Sequence, residues 1–297
     1  MTKQLKADLF LIFITAVWGS SFTLMKNILD DIPPFAFLAV RFSTAAIILL
    51  IIFHKKLREL NKALILKGFV IGLMLFGSLA LQVIGLNYTT APNSAFITSL
   101  NVIMVPIVSS ILLKKKPARS SMLGVVFAFI GLFFVSGGLN FKVNIGEILT
   151  FLCAICVTMQ IIFIDKFTNN EDPVLLGVLQ VVFSAILSIG SWLYIDFKPF
   201  TLNQSIVITI LVTGVLGTAL AYTGQTIVQK FTSPTRAALI FTLEPVFGVV
   251  FFILIPNSQS ISEKISLHTL IGCVLILLGT LVSEIKFDKK IYQLKKH

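Results

Sequence analysis

One carboxylate and one guanidinium occupy apolar segments of this 297-residue chain where neither has a neighbouring charge in sequence: Glu244 and Arg41. Glu244 follows Pro234 by ten residues, and at 1.5 Å rise per residue that puts it about 15 Å into a bilayer, near its centre. An ionisable group at that depth costs roughly 2.5–3.5 kcal/mol on insertion scales, so it must face protein or water. Pro245, the next residue, removes a backbone donor and frees a carbonyl one turn back. The pair reads as a broken helix that presents a carboxyl, either for a substrate amine or proton or as a structural acid bonded to a neighbouring helix. Arg41 sits about seven residues inside the outer end of its segment. It can anchor a substrate carboxylate, pair with Glu244, or snorkel to the outer headgroups on its long side chain.

Catalysis is a poorer match. His54 and His268 lie near segment ends, His297 is terminal, and no segment holds a His-rich or paired-acid motif. No phosphate-binding Walker sequence is present, which disfavours an ATP-driven pump. Cys153 and Cys156 have CxxC spacing, but no His or further Cys is near to complete a metal site, so both read as small packing residues. No enzyme activity, cofactor or metal is expected.

The elements that hold Glu244 and Arg41 are apolar throughout. Hydrophobic residues make up 56% of the chain, charged residues 12%, and the mean hydropathy is +0.97, which a soluble domain cannot bury. Ten stretches are long enough to span a membrane: 7–25, 35–53, 67–86, 92–113, 121–138, 146–164, 174–195, 205–225, 234–255 and 267–285. They lack the two-residue alternation of a barrel, so an all-α, multi-pass protein of the plasma or bacterial inner membrane is expected.

The net charge of +11 is distributed by position. Lys3 and Lys6 precede the first span, Lys55, Lys56, Arg58, Lys62 and Lys67 follow the second, and Lys114, Lys115, Lys116 and Arg119 follow the fourth. Lys230 and Arg236 follow the eighth, and five lysines fill the tail. This puts both termini in the cytoplasm and makes the clusters orientation signals and lipid-headgroup contacts, not a nucleic-acid site. The loop after span six is the weak point, because Asp165, Glu171 and Asp172 outnumber Lys166 there.

Two halves, 1–140 and 141–297, repeat. A shift of 143 residues matches Gln82 with Gln225, Thr89 with Thr232, Ala95 with Ala238 and Asn101 with Glu244. Spans two and seven align Arg41 with Gln180, and spans five and ten each carry glycines seven apart, Gly124/Gly131 and Gly272/Gly279. A repeat of five spans re-enters the membrane from the opposite side, so the halves should be inverted repeats suited to alternating access. The glycines read as close-packing positions, or alternatively as a dimer contact. The first half has Asn101 and Val102 where the second has Glu244 and Pro245, and its own proline comes later, at Pro106. The break of the fourth span is therefore expected near Pro106, deeper than the break at Pro245.

Together these residues resemble the drug/metabolite transporter superfamily, in its ten-helix form built from two EamA-type domains. The resemblance rests on Trp18-Gly19-x-x-Phe22, Arg41-Phe42, the turn from Tyr88 to Ala95, and Leu243-Glu244-Pro245-Val246. It implies that spans one, three, four, six, eight and nine surround a central cavity, with spans five and ten peripheral. On those spans Trp18, Phe22, Gln82, Thr98, Asn101, Gln160, Tyr222, Gln225 and Glu244 become candidate substrate contacts, though amides in spans also bond helix to helix. Glu244 and Arg41 are candidates for charge or proton coupling. The job class implied is secondary transport of a small-molecule substrate, with amino-acid or related metabolite export first. Proton-coupled export of cationic or aromatic drugs is the alternative, and a homodimer is possible.

Overall fold

A computed structural model describes residues 2–26, 28, 31–89, 91–114, 116–136, 144–254 and 266–284. The described residues form helices and no strands. They run α1 (Lys3–Lys26), α2 (Pro34–Ile52), α3 (Lys62–Leu86), α4 (Ala91–Thr98), α5 (Asn101–Leu112), α6 (Arg119–Val135), α7 (Ile145–Phe167) and α8 (Pro173–Ile195). Then come α9 (Gln204–Leu211), a π-helical stretch Val212–Leu220, α10 (Ala221–Gln229), α11 (Pro234–Phe241), α12 (Glu244–Leu254) and α13 (Leu267–Glu284). Each expected span carries a helix or a chain of short helices. By length and hydropathy, seven described segments reach what a crossing needs, while the apolar helices Arg119–Val135 and Leu267–Ser283 are shorter. The chain is a multi-pass membrane protein.

The principal pairings are α6 with α13, α3 with α7 and α8, α2 with α8 and with the π-helical stretch, α1 with α10, α11 and α12, and α7 with α4 and α5. Exchanging each span with the one five places away returns these pairings, with one exception: α8 also packs closely on α10, while their counterparts α2 and α3 barely touch. Glycine explains the closest of these. A Cβ at Gly124 would lie 2.5 Å from the Gly279 carbonyl, and one at Gly272 would lie 2.5 Å from the Gly131 carbonyl. The backbones of α6 and α13 therefore touch, antiparallel, at both glycine pairs. These glycines thus serve as close-packing positions within one chain.

Polar contacts tie the loops at each end of the bundle. At one end Lys56 pairs with Asp172, Lys67 with Glu171, and Arg236 with Asp8 at 2.9 Å. Two of the acids that made the loop after span six look out of place, Glu171 and Asp172, thus meet lysines that follow span two. Asp172 also caps α8, accepting from the Val174 and Leu175 amides at 2.9 Å. Burial acts to raise its carboxyl, but the hydrogen bonds from Lys56 and the two amides outweigh burial and hold the pKa below the ordinary value. At the other end Asp196 accepts from the Phe35 amide at 3.0 Å, and Asn203 donates to Asp31 at 3.3 Å.

Two large apolar cores result. One joins residues of α1, α4 to α7 and α10 to α13, and the other joins α2, α3, α8 and the eighth span. Trp18 packs against both.

Candidate functional site

Between the two cores lies a cavity of about 120 Å³. Its wall takes Trp18 from α1, Arg41 from α2, Gln82 from α3, Thr98 and Asn101 from the fourth span, and Gln160 from α7. Tyr222 and Gln225 from α10, and Glu244 from α12, complete it. Every candidate contact expected from the resemblance faces this cavity except Phe22, whose side chain lies outside the described residues. Among the described residues, spans five and ten contribute nothing to the wall.

Helix breaks put Asn101 and Glu244 at equivalent places. α4 ends at Thr98 and α5 begins at Asn101; α11 ends at Phe241 and α12 begins at Glu244. In both, two turn residues intervene, Ser99-Leu100 and Thr242-Leu243, which the 143-residue shift superposes. This corrects the expectation for the first half. Pro106 lies inside α5 and does not set the break, which is no deeper than its mate. A proline six residues into a helix deprives only one carbonyl of its donor, and short bonds such as Val102 N–H to Ser99 O (3.1 Å) carry the backbone through the turn. Pro245 is the second residue of α12, where a missing N–H costs little. Gly19 lets α1 close on the second break: a Cβ there would meet the Glu244 carbonyl oxygen at 2.9 Å.

Arg41 does not snorkel. It is buried, and the π-helical stretch of the eighth span wraps it. A π-helix inserts an extra residue per turn and turns carbonyls away from the ordinary ladder. Here Nε of Arg41 donates to Thr218 Oγ1 at 2.7 Å and Nη2 donates to Gly217 O at 3.3 Å, while Nη1 lies 3.5 Å from Met25 Sδ. The Thr218 hydroxyl itself donates to Thr213 O, five residues back, at 2.9 Å. The indole of Trp18 donates to the same Gly217 carbonyl at 2.9 Å. Gly217 keeps this corner open: a Cβ would lie 3.2 Å from Ser21 Oγ, a tight approach that the serine side chain would have to relieve, and 3.5 Å from Arg41 Nη2. Arg41 and Glu244 form no ion pair, and among the described residues the Glu244 side chain has no hydrogen-bond partner.

The Trp18 ring stands between Tyr222, 5.1 Å away and tilted, and Phe241, 5.2 Å away and edge-on. Such aromatic groupings offer negative ring faces to a cation and apolar surface to a ligand's body. Gln160 donates to Gln180 Oε1 at 3.2 Å, and Gln180 donates to Tyr222 O (3.0 Å) and Thr226 Oγ1 (2.7 Å). Gln225 donates to Gln229 Oε1 at 3.2 Å, and Gln229 to Ile161 O at 2.7 Å. Gln180, the sequence mate of Arg41, is thus a positioning residue behind the wall.

Sequence reasoning had not singled out Ser21, Met25, Ser78 or Thr242, which also line the cavity. Small hydroxyls in apolar helices carry no depth or facing signal. Cys153, read as a packing residue, is part of the wall too, 3.9 Å from Thr98. Phe96 turns away from the cavity to pack near Phe129.

The EamA-like transporter family model matches this chain twice, over residues 5–137 and 144–284. An uncharacterized transporter of Archaeoglobus fulgidus is 33% identical over 285 residues, covering 96% of this chain and 87% of that protein. The uncharacterized transporter YyaM of Bacillus subtilis is 27% identical over 302 residues, covering 95% and 94%. A crystal structure aligns with a TM-score of 0.77 at 16% identity over 94% of this chain and 97% of its own, a likeness of fold.

Proposed function

Because the chain belongs to the EamA-like transporter family, we propose that it is a secondary transporter that carries a small organic metabolite through the central cavity by alternating access. The observation that carries this reading is the set of unpaired polar groups, Glu244 foremost, at the two helix breaks in the middle of the bundle. A buried ionisable group without a protein partner is costly unless it serves a ligand or a proton. Two halves whose pairings interchange supply the rocking motion, exposing the cavity first to one face and then to the other.

An amine-bearing metabolite of amino-acid size suits the cavity, with its amine at Glu244. Export coupled to protons, with Glu244 binding proton and cation in turn, is the second reading, and the aromatic group around Trp18 favours it. The test is exchange in proteoliposomes preloaded with amino acids, nucleosides or a cationic dye. Saturable exchange of one class, lost in Glu244→Gln, is expected. Folded protein that exchanges none of them would sink the proposal. Unchanged pH-dependent transport in Glu244→Gln would sink the proton-coupled version alone.

A further inference from the structure

Resting on the alternating-access reading, we infer that α10 is the gate at the Lys56 end of the cavity, hinged at the π-helical stretch and latched to α8 by Gln180, and that the structure is the state closed at that end. One close pairing is not shared by the two halves. α10 packs tightly on α8, whereas the spans that match them, α3 and α2, barely touch. A Cβ at Gly177 of α8 would lie 2.9 Å from Thr223 Cα, so these two backbones are in contact. Gln180 donates from α8 to Tyr222 O at 3.0 Å and to Thr226 Oγ1 at 2.7 Å, both on α10. The repeat matches Gln180 with Arg41 and, by the 143-residue shift, Tyr222 with Leu79 of α3. Arg41 makes no hydrogen bond to α3 among the described residues; it donates instead to Thr218 and Gly217 of the eighth span. The latch is thus closed in the second half, and its mate is open in the first. The paired glutamines of the wall agree: Gln225, beside the closed latch, is 1% exposed, and Gln82, beside the open one, is only half-buried.

A hinge precedes α10. The π-helical stretch Val212–Leu220 runs directly into Ala221, while the matching stretch of α3, 69–77, is unbroken α-helix. π-Helical turns are places where a helix changes direction. Before α10 the span is held on α2, where a Cβ at Gly214 would lie 3.2 Å from the Arg41 carbonyl oxygen. α10 also rests on α1, with Phe10 against Gly224, but that pairing has its counterpart in α7 on α3 and so does not distinguish the two halves. What α10 buries is polar. Thr223, Thr226 and Gln229 are each 4% exposed or less, and Thr223 Oγ1 has no hydrogen-bond partner among the described residues. A permanent wall would be cheaper in apolar residues, since a buried hydroxyl without a partner is costly. Hydroxyls and amides there suit a surface that meets water when α10 swings off α8.

Thiol labelling tests this. The full chain, with Cys153, Cys156 and Cys273 replaced by alanine, carries Thr223→Cys, which is sealed between α10 and α8, or Thr209→Cys, which is equally buried but precedes the hinge. A charged, water-soluble maleimide should label Thr223→Cys far more slowly than Leu202→Cys in the exposed α8–α9 loop. Adding Gln180→Leu, which removes both bonds to α10, should speed labelling of Thr223→Cys at least about tenfold. Gly177→Ala, which sets a methyl against Thr223 Cα, should do the same, and Thr209→Cys should stay within about twofold in both backgrounds. Labelling of Thr223→Cys as fast as Leu202→Cys in the parent chain would overturn the inference, as would an unchanged rate in both Gln180→Leu and Gly177→Ala. An equal rise at Thr209→Cys would overturn it too, because it reports general loosening and not a swing at the hinge. No substrate enters this measurement, so its failure strikes the gate alone; failure of folded protein to exchange any solute would instead strike the transporter reading.

Discussion

Replacing Gly124 by Ala inserts one methyl where α6 meets α13. Its Cβ would lie 2.5 Å from the Gly279 carbonyl oxygen, 2.9 Å from Leu239 Cδ2 and 3.2 Å from Ser283 Cβ. The first of these is backbone, which cannot swing aside as a side chain can. The helices must then part by roughly 1 Å to regain ordinary contact, which forfeits a quarter to a half of the dispersion well at each neighbouring atom pair. Overpacking of this kind costs about 1–3 kcal/mol, and the intrinsic gain of Ala over Gly in a helix, about 0.8–1 kcal/mol, offsets only part of it. The net expectation is a loss of stability. Gly190→Ala is the control, because a Cβ there meets nothing within 4 Å and only the helix gain remains. Reversible unfolding in mixed micelles, followed by far-UV circular dichroism, should show Gly124→Ala less stable than wild type and Gly190→Ala equal or more stable. If Gly124→Ala unfolds no earlier than Gly190→Ala, α6 and α13 are not in backbone contact and the packing argument fails.

Pro106→Ala should keep both stability and transport, because the fourth span breaks at Ser99-Leu100 and not at the proline; loss of exchange in that variant would show that the proline sets the break. Trp18→Phe should keep the ring contacts but lose the bond to Gly217 O, costing about 0.5–1.5 kcal/mol in the same unfolding assay, while Arg41 still donates to that carbonyl. Lys67→Ala removes the half-buried partner of Glu171 and should cost about 1 kcal/mol. Asp172 has a lowered pKa, so its contribution is present above the pKa of the unfolded carboxyl and is lost as pH falls through the folded value. The stability gap between wild type and Asp172→Asn should therefore be constant near neutrality and close on acidification, and a gap independent of pH would refute the pairing with Lys56.

Hydropathy determined most of the architecture, because each span must be apolar along its own length, and that property is local. Depth was local too: counting residues from Pro234 placed Glu244 near mid-bilayer, and it does sit at a helix break inside the bundle. The repeat let Asn101 be matched to Glu244 across 143 residues, and the two do occupy equivalent breaks. The family resemblance then selected the spans whose polar residues line the cavity. What depended on contact between distant segments was not legible. Arg41 looked able to reach the headgroups because its stem is long, yet its fate was decided by an extra residue in the turn around Gly217, some 176 positions away. Pro106 carried the usual mark of a broken helix, but a lost donor deep in a span is a weaker force than the turn bonds at Ser99. The serines of the wall gave no signal, since a hydroxyl bonded to its own helix looks the same in sequence whether it faces lipid, protein or cavity. Which polar atoms remain unspent is a sum over every neighbour, and only the assembled bundle fixes that sum.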